Sequence, residues 1–287
     1  MLAIYKRELK SYFTSMMGYV FVAFVLVVVG IYFAAYNLNA YPLIGYTLYN
    51  VTFLFLILVP ILTMRSLAEE QRNKTDQLLY TSPVSLLGIV IGKFLALISV
   101  FGIPVLVICF YPQILGQYGT VNMPMSYLAI FGFFLLGCAY IAIGMFISSI
   151  TESQIIAAVI SFVVLMASYQ MEGIASFFSD TAVTSLIAFS VLFLLIGIGY
   201  GVAARNIVMP AVLFVLAEAV LGGFYLANPV WFEGAFAAML KKLNLAGLSY
   251  NMIQSGILDF TNIVFYLSVI GFFLFLTVQS IKKKRWN

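Results

Sequence analysis

The chain has 287 residues, 64% of them hydrophobic and only 8% charged, with a mean hydropathy of +1.10. Soluble globular proteins carry about 25% charged residues, so the composition excludes a water-soluble fold and points to a polytopic membrane protein. The net charge is a modest +4 and histidine is absent, which removes imidazole as metal ligand, general base or pH switch; no nucleic-acid partner is expected.

The chain opens on an amphipathic stretch, residues 1–16. Leu2, Tyr5, Leu9, Tyr12 and Met16 recur at helical spacing, with Lys6, Arg7, Glu8 and Lys10 between them. Such a helix is expected to lie in the plane of the membrane interface. Beyond it, apolar runs dominate. A bilayer core about 30 Å thick needs roughly 20 apolar residues per helix, and backbone polar groups inside lipid must be satisfied within the segment. The runs therefore predict eight membrane helices: Gly18–Tyr36, Leu48–Met64, Phe94–Tyr111, Ser126–Ser149, Gln154–Tyr169, Ser185–Ala203, Ile207–Ala227 and Asn262–Ile281. The first is too long for a signal-peptide core and is expected to be a retained span. Pro60 and Pro104 are expected kink sites. Cys109 and Cys138 lie inside apolar runs as small packed residues, with no disulfide framework.

Orientation follows from the basic residues. With both ends in the cytoplasm, the inner segments hold Lys6, Arg7, Lys10, Arg65, Arg72, Lys74, Lys93, Arg205 and Lys282 to Arg285, leaving only Lys241 and Lys242 outside. The positive-inside rule then requires an even number of spans. Eight satisfies it; six does as well if Ser185–Ala227 is a hairpin that does not cross. In the external segment 228–258, Phe232, Phe236, Met239, Leu240 and Leu243 form a stripe opposite Lys241 and Lys242. One or two short helices are expected there, ending near Gly256, with Asp259 as N-cap of the last span.

Two glycine motifs mislead. "GIVIGKF" (Gly88–Phe94) has three residues between its glycines where a phosphate-binding loop has four, and Phe94 stands in place of the magnesium-binding Ser or Thr. "GIGYG" (Gly197–Gly201) lacks the strand–turn–helix setting of a dinucleotide site and suits helix packing.

The segment Arg65–Lys93 is the longest hydrophilic stretch inside. Arg65, Glu69, Arg72 and Asp76 alternate in sign at spacings of four, three and four, so they can pair along one helical face. Leu67, Leu78, Leu79 and Tyr80 supply apolar contacts, Ser82-Pro83 breaks the helix, and Ser85 is placed to cap the next. A short mixed-charge helix held between two spans is shaped to dock a soluble partner.

These residues resemble a known family. The acidic residues, Thr75, Leu78-Leu79, Ser82-Pro83 and Gly92-Lys93 look like the signature between spans two and three of ABC-2 type permeases. The stretches Ile4–Ser15, Met64–Ser85, Ile141–Phe162 and Asp259–Trp286 are similar to its gliding-motility-associated branch. The resemblance implies an all-α, type V exporter-like permease formed by residues 1–287 as a single transmembrane domain, itself non-catalytic, in a bacterial cytoplasmic membrane. It implies that Ile4 to Phe13 form a connecting helix and that Glu69 to Leu79 form a coupling helix seated on a separate ATP-binding subunit. Contacts to that subunit would involve Glu69, Glu70, Arg72, Lys74, Thr75, Asp76, Leu78 and Leu79. ATP and magnesium would be bound there, with no cofactor on this chain, and two permease subunits, identical or different, would assemble around one pathway. Two departures stand out: family members commonly have six spans, so 185–227 is an extra helix pair, and Asn73-Lys74-Thr75 sits where a glycine usually precedes the threonine.

Inside the membrane, Glu218 lies near the middle of the seventh span, where a carboxyl usually faces a bundle interior or cavity. It is a candidate for the translocation path or for a packed, satisfied role. Tyr49, Asn50, Gln170 and Glu172 are candidates to line an outer vestibule, although tyrosines at span ends ordinarily act as interfacial anchors. Glu152, in the loop between spans four and five, either meets the partner or caps the fifth helix. Two other classes compete with the permease: an ion-coupled secondary transporter using Glu218, and a membrane-embedded enzyme, for which no carboxylate cluster or nucleophile motif is present.

Overall fold

A computed structural model describes residues 1–37, 44–75, 85–204 and 208–286. Among these the chain is helical, without strands, and eight helices are long and apolar enough to cross a membrane. The extra pair at 185–227 consists of two of them, so the eight-span reading holds by length and composition.

The helices are α1 (Leu2–Thr14), α2 (Met17–Tyr36), α3 (Ile44–Val51), α4 (Phe55–Thr63), α5 (Arg65–Arg72), α6 (Leu86–Ile108), α7 (Tyr111–Tyr118), α8 (Met123–Ile150), α9 (Gln154–Ala175), α10 (Ala182–Ala204), α11 (Val208–Ala227) and α12 (Ala235–Leu243). Short turns at Leu245–Leu248 and Tyr250–Ile253 precede α13 (Phe260–Trp286). The expected caps are in place: Ser85 Oγ accepts from Gly88 N at 3.2 Å, and Asp259 Oδ1 accepts from Thr261 N at 2.9 Å. Each satisfies an amide that the first helical turn leaves without a partner.

The chain divides into two compact units, Met1–Met166 with Leu248–Asn287, and Ala167–Gly247. In the first, α8 is the spine, packed against α3, α4, α5, α6 and α13. Lipid offers apolar helices no hydrophobic drive to associate, so close packing through small residues carries the assembly. Gly144 lets Thr63 approach so closely that a Cβ there would sit 2.3 Å from the Thr63 hydroxyl, and a Cβ at Gly137 would sit 2.3 Å from Phe101. Phe55 fills the space between, with ring centroids 4.6 Å from Phe133 and 5.5 Å from Phe101.

In α1 the buried face differs from the hydrophobic stripe. Ile4 and Tyr12 are buried while Leu2 and Met16 are exposed. The face turned inward also carries Glu8, because its carboxylate is held by an ion pair described below. Electrostatics, not hydropathy alone, sets the rotation of this helix.

The second unit is built on Phe236 of α12, whose ring meets Phe178 at 4.9 Å and Phe189 at 5.2 Å edge-on. Phe232, Phe236 and Leu240 are buried as the stripe predicts, whereas Leu243 is exposed. Gly234, with φ +65, turns the chain into α12 and donates its amide to Asp180 O. Along α10 and α11 large apolar side chains, among them Leu195, Ile196, Val212 and Val215, face outward, as suits helices solvated by lipid.

Candidate functional site

The densest polar network in the first unit surrounds α5. The helix is broken at Met64, between α4 and α5, although Met64 N still donates to Pro60 O at 2.9 Å. The buried hydroxyl of Ser148, from α8, inserts at this break. It accepts from Leu67 N at 3.2 Å and Ala68 N at 3.1 Å, and donates to Met64 O at 3.1 Å. The end of α8 is tied to the same helix. Gln71 Nε2 donates to Ser149 O at 3.0 Å, and Lys284 Nζ donates to Gln71 Oε1 at 2.8 Å and Ile150 O at 3.3 Å. Ser280 Oγ also donates to Ser149 O. These bonds satisfy carbonyls that the last turn of α8 leaves without helical partners.

Lys93 is the centre of a second cluster. Its side chain is 1% exposed, and its three ammonium protons match three acceptors: Glu8 Oε1 at 3.0 Å, Glu70 Oε2 at 3.0 Å and Ser66 O at 2.8 Å. Arg7 closes the ring, with Nη2 at 2.8 Å from both Glu8 Oε1 and Glu70 Oε1. Two cations and two carboxylates from α1, α5 and α6 thus neutralise one another. Around them, Tyr12 OH donates to Leu62 O at 3.1 Å, and Arg65 pairs with Glu69 at 2.5 Å while reaching Ser15 Oγ at 2.9 Å. Burial alone would push the Glu8 carboxyl upward, but Lys93 and Arg7 outweigh it and hold the group below its ordinary value.

Each of these charged groups is paired, so the cluster is poorly suited to move protons and well suited to move helices. Removing one partner would leave an uncompensated buried charge, a loss of about 3–5 kcal/mol.

The helix that carries Glu69 ends at Arg72 and does not run on through Thr75. Lys74 adopts φ 55, in the left-handed region, and the chain closes in a Schellman turn. Thr75 N donates to Glu70 O at 3.0 Å and Lys74 N to Gln71 O at 3.1 Å. A glycine at this position would avoid a cost of roughly 1 kcal/mol. The conformation that glycine favours is therefore kept, with a lysine in it. Arg72, Asn73, Lys74 and Thr75 are exposed, whereas Glu69 and Glu70 are drawn inward by their ion pairs. Asp76, Leu78 and Leu79, with Tyr80, Ser82-Pro83 and Arg205, lie outside the described residues. Glu152 is exposed at the end of α8.

The remaining candidates fall in both units. In the first, Tyr49 stacks edge-on against Tyr250 at 5.0 Å, and Asn50 Nδ2 donates to Tyr46 O of its own helix. In the second, Glu172 accepts from Asn244 Nδ2 at 3.2 Å, Gln170 is exposed, and Glu218 Oε2 accepts from Ser190 Oγ at 2.9 Å. The other oxygen of Glu218 is buried without a hydrogen-bond partner among the described residues.

Sequence reasoning missed Lys93 as a structural centre, and with it Glu8, Ser66, Gln71 and Ser148. One signal was present: a lysine embedded within an apolar helix demands a partner. Its identity was not, because Glu8 is 85 positions away.

A family model described as "ABC-2 family transporter protein" matches residues 2–178, which contain α1, α5, α6, α8 and the whole Lys93 cluster. A search of curated proteins finds no match to the chain. The matched region covers more than half of the sequence and contains five of the eight candidate spans among the described residues, so this multi-pass membrane protein belongs to the ABC-2 transporter family.

Proposed function

We propose that the chain is the permease subunit of an ATP-driven exporter, itself non-catalytic, with both termini in the cytoplasm of a bacterium. A separate ATP-binding subunit, which binds ATP and magnesium, docks at the cytoplasmic end of the bundle, and two permease subunits enclose the route. The resemblance to the gliding-motility-associated branch fits this assignment. The single observation that carries the reading is the way α5 is gripped from several sides. Lys93 ties it to α6 and Arg7 to α1, Ser148 and Ser149 to α8, and Lys284 to α13. A push on α5 from a soluble partner would pass directly into three spans.

The test is to purify the tagged full chain from its native membranes and reconstitute it in liposomes. The expected result is a co-purifying ATP-binding subunit whose ATP hydrolysis changes when the permease is present. Gradient-driven solute uptake by the chain alone, without such a subunit, would overturn the reading. That outcome would favour ion coupling, for which the Ser190–Glu218 pair is the supporting observation.

A further inference from the structure

Helix α1 is divided by charge. Its single acid, Glu8, turns to the bundle and is held by Lys93 and Arg7. Its lysines, Lys6 and Lys10, turn outward, exposed and without an ion pair among the described residues. They stand one helical turn apart, a spacing at which like charges repel and weaken a helix. An anion shared by the two ammonium groups reverses the sign of that interaction.

The neighbours of the lysines say where the anion comes from. Residues three or four apart adjoin on a helix surface. Lys6 is flanked in this way by exposed Leu2 and half-buried Leu9, and Lys10 by half-buried Phe13. The helix leads within three residues into the first span, past exposed Met16. Cations edged by apolar side chains, beside a span, suit the headgroup layer of a membrane. There the apolar groups enter the acyl boundary and the lysine stems reach back to phosphate. Topology asks only for cations in this segment and not for that placement. A soluble acidic protein would leave Leu2 and Met16 in water.

We infer that Lys6 and Lys10 bind the phosphate of an anionic phospholipid in the adjacent leaflet, and that this contact sets how firmly α1 is held on the Lys93 ring. Arg7 and Glu8 lie between the two lysines in sequence and join Glu70 and Lys93 on the other side of the helix. Membrane composition thereby acts on the grip that α1 has on α5.

The experiment follows hydrogen exchange at the α1 amides of the full chain in nanodiscs of phosphatidylcholine, with or without phosphatidylglycerol. One lysine near an anionic surface contributes about a fivefold preference. Phosphatidylglycerol is therefore expected to slow exchange in wild-type α1 at least about fivefold, an effect that shrinks at high salt. The Lys6→Gln, Lys10→Gln double variant should match the wild type in phosphatidylcholine and lose the slowing, which Lys6→Arg, Lys10→Arg should restore. Lys282→Gln, Lys283→Gln, with the same loss of net charge at exposed positions of α13, should keep it. Wild-type exchange that ignores phosphatidylglycerol, or equal slowing in the Lys6→Gln, Lys10→Gln variant, overturns the inference. An equal loss in the α13 variant does so too, since net charge alone then explains the effect. Soluble glycerol phosphate that slows exchange as well as the lipid does overturns the choice of a membrane phosphate. Slowing by an acidic soluble protein and none by phosphatidylglycerol overturns the choice of a lipid.

Discussion

The Lys93 ammonium lies 3.0 Å from the Glu70 carboxylate, joining α6 to the last turn of α5, and the same nitrogen holds Glu8 of α1 at 3.0 Å. Because Lys93 is 1% exposed, its charge is satisfied by these partners and not by solvent. The three segments are therefore expected to behave as one mechanical body.

Breaking this body from one side has a large expected effect. Lys93→Met leaves two buried carboxylates with only Arg7, and should destabilise the protein by about 3–5 kcal/mol. The triple variant Lys93→Met, Glu8→Gln, Glu70→Gln removes the uncompensated charge and should recover most of that loss. Thermal unfolding of the purified chain, followed by intrinsic fluorescence, separates the two cases. Equal melting temperatures for the single variant and the wild type would show that the ring does not hold the helices.

Ser148→Ala tests the inserted hydroxyl. It leaves the Leu67 and Ala68 amides without their acceptor, at a cost of about 1–3 kcal/mol. Hydrogen exchange should accelerate at those two amides and remain unchanged in α10 and α11, which lie in the other unit.

Acid should loosen α1. Glu8 is held below the ordinary carboxylate value in the folded protein by Lys93 and Arg7, which together outweigh its burial, with Glu70 facing the same ammonium. Its contribution is therefore fully present above the unfolded-state value, about 4.3, and is lost as pH falls through the depressed folded value. Between neutral pH and about 5, the Glu8 contribution should stay flat. Below that range the wild type should lose stability faster than Glu8→Gln. The measurement is melting temperature against pH for the two proteins.

The left-handed turn gives a prediction independent of any partner. Lys74→Gly should stabilise the isolated chain by roughly 1 kcal/mol, because glycine enters this conformation without a Cβ penalty. By contrast, Gly144→Ala should destabilise it by about 1–3 kcal/mol, since the added methyl would press on Thr63 at 2.3 Å. Melting curves of the two variants should shift in opposite directions.

What the sequence made legible follows from local rules. Each span was readable because roughly 20 apolar residues can be solvated only by lipid, and Ser85 and Asp259 were readable as caps because their amide partners lie two or three residues away. The Lys93 ring was not, since its members come from α1, α5 and α6 and no local rule pairs them. The inward turn of Glu8 on α1 was not legible for the same reason: it meets a lysine far along the chain. The mixed charges of α5 were visible in the sequence. The inward turn of Glu70 depended on partners supplied by other helices, whereas Arg65 and Glu69 pair within α5.

The central claim is that α5 carries the work of ATP into the spans through Lys93. Its most direct measurement is ATP hydrolysis by the recovered ATP-binding subunit, with wild-type or Lys93→Met permease in the same liposomes, at a temperature where both remain folded. The account predicts that the subunit still binds the variant, while the change in hydrolysis that the permease imposes falls at least about tenfold, the equivalent of 1.4 kcal/mol of lost coupling. Hydrolysis that responds to Lys93→Met permease as it does to wild type would contradict the account.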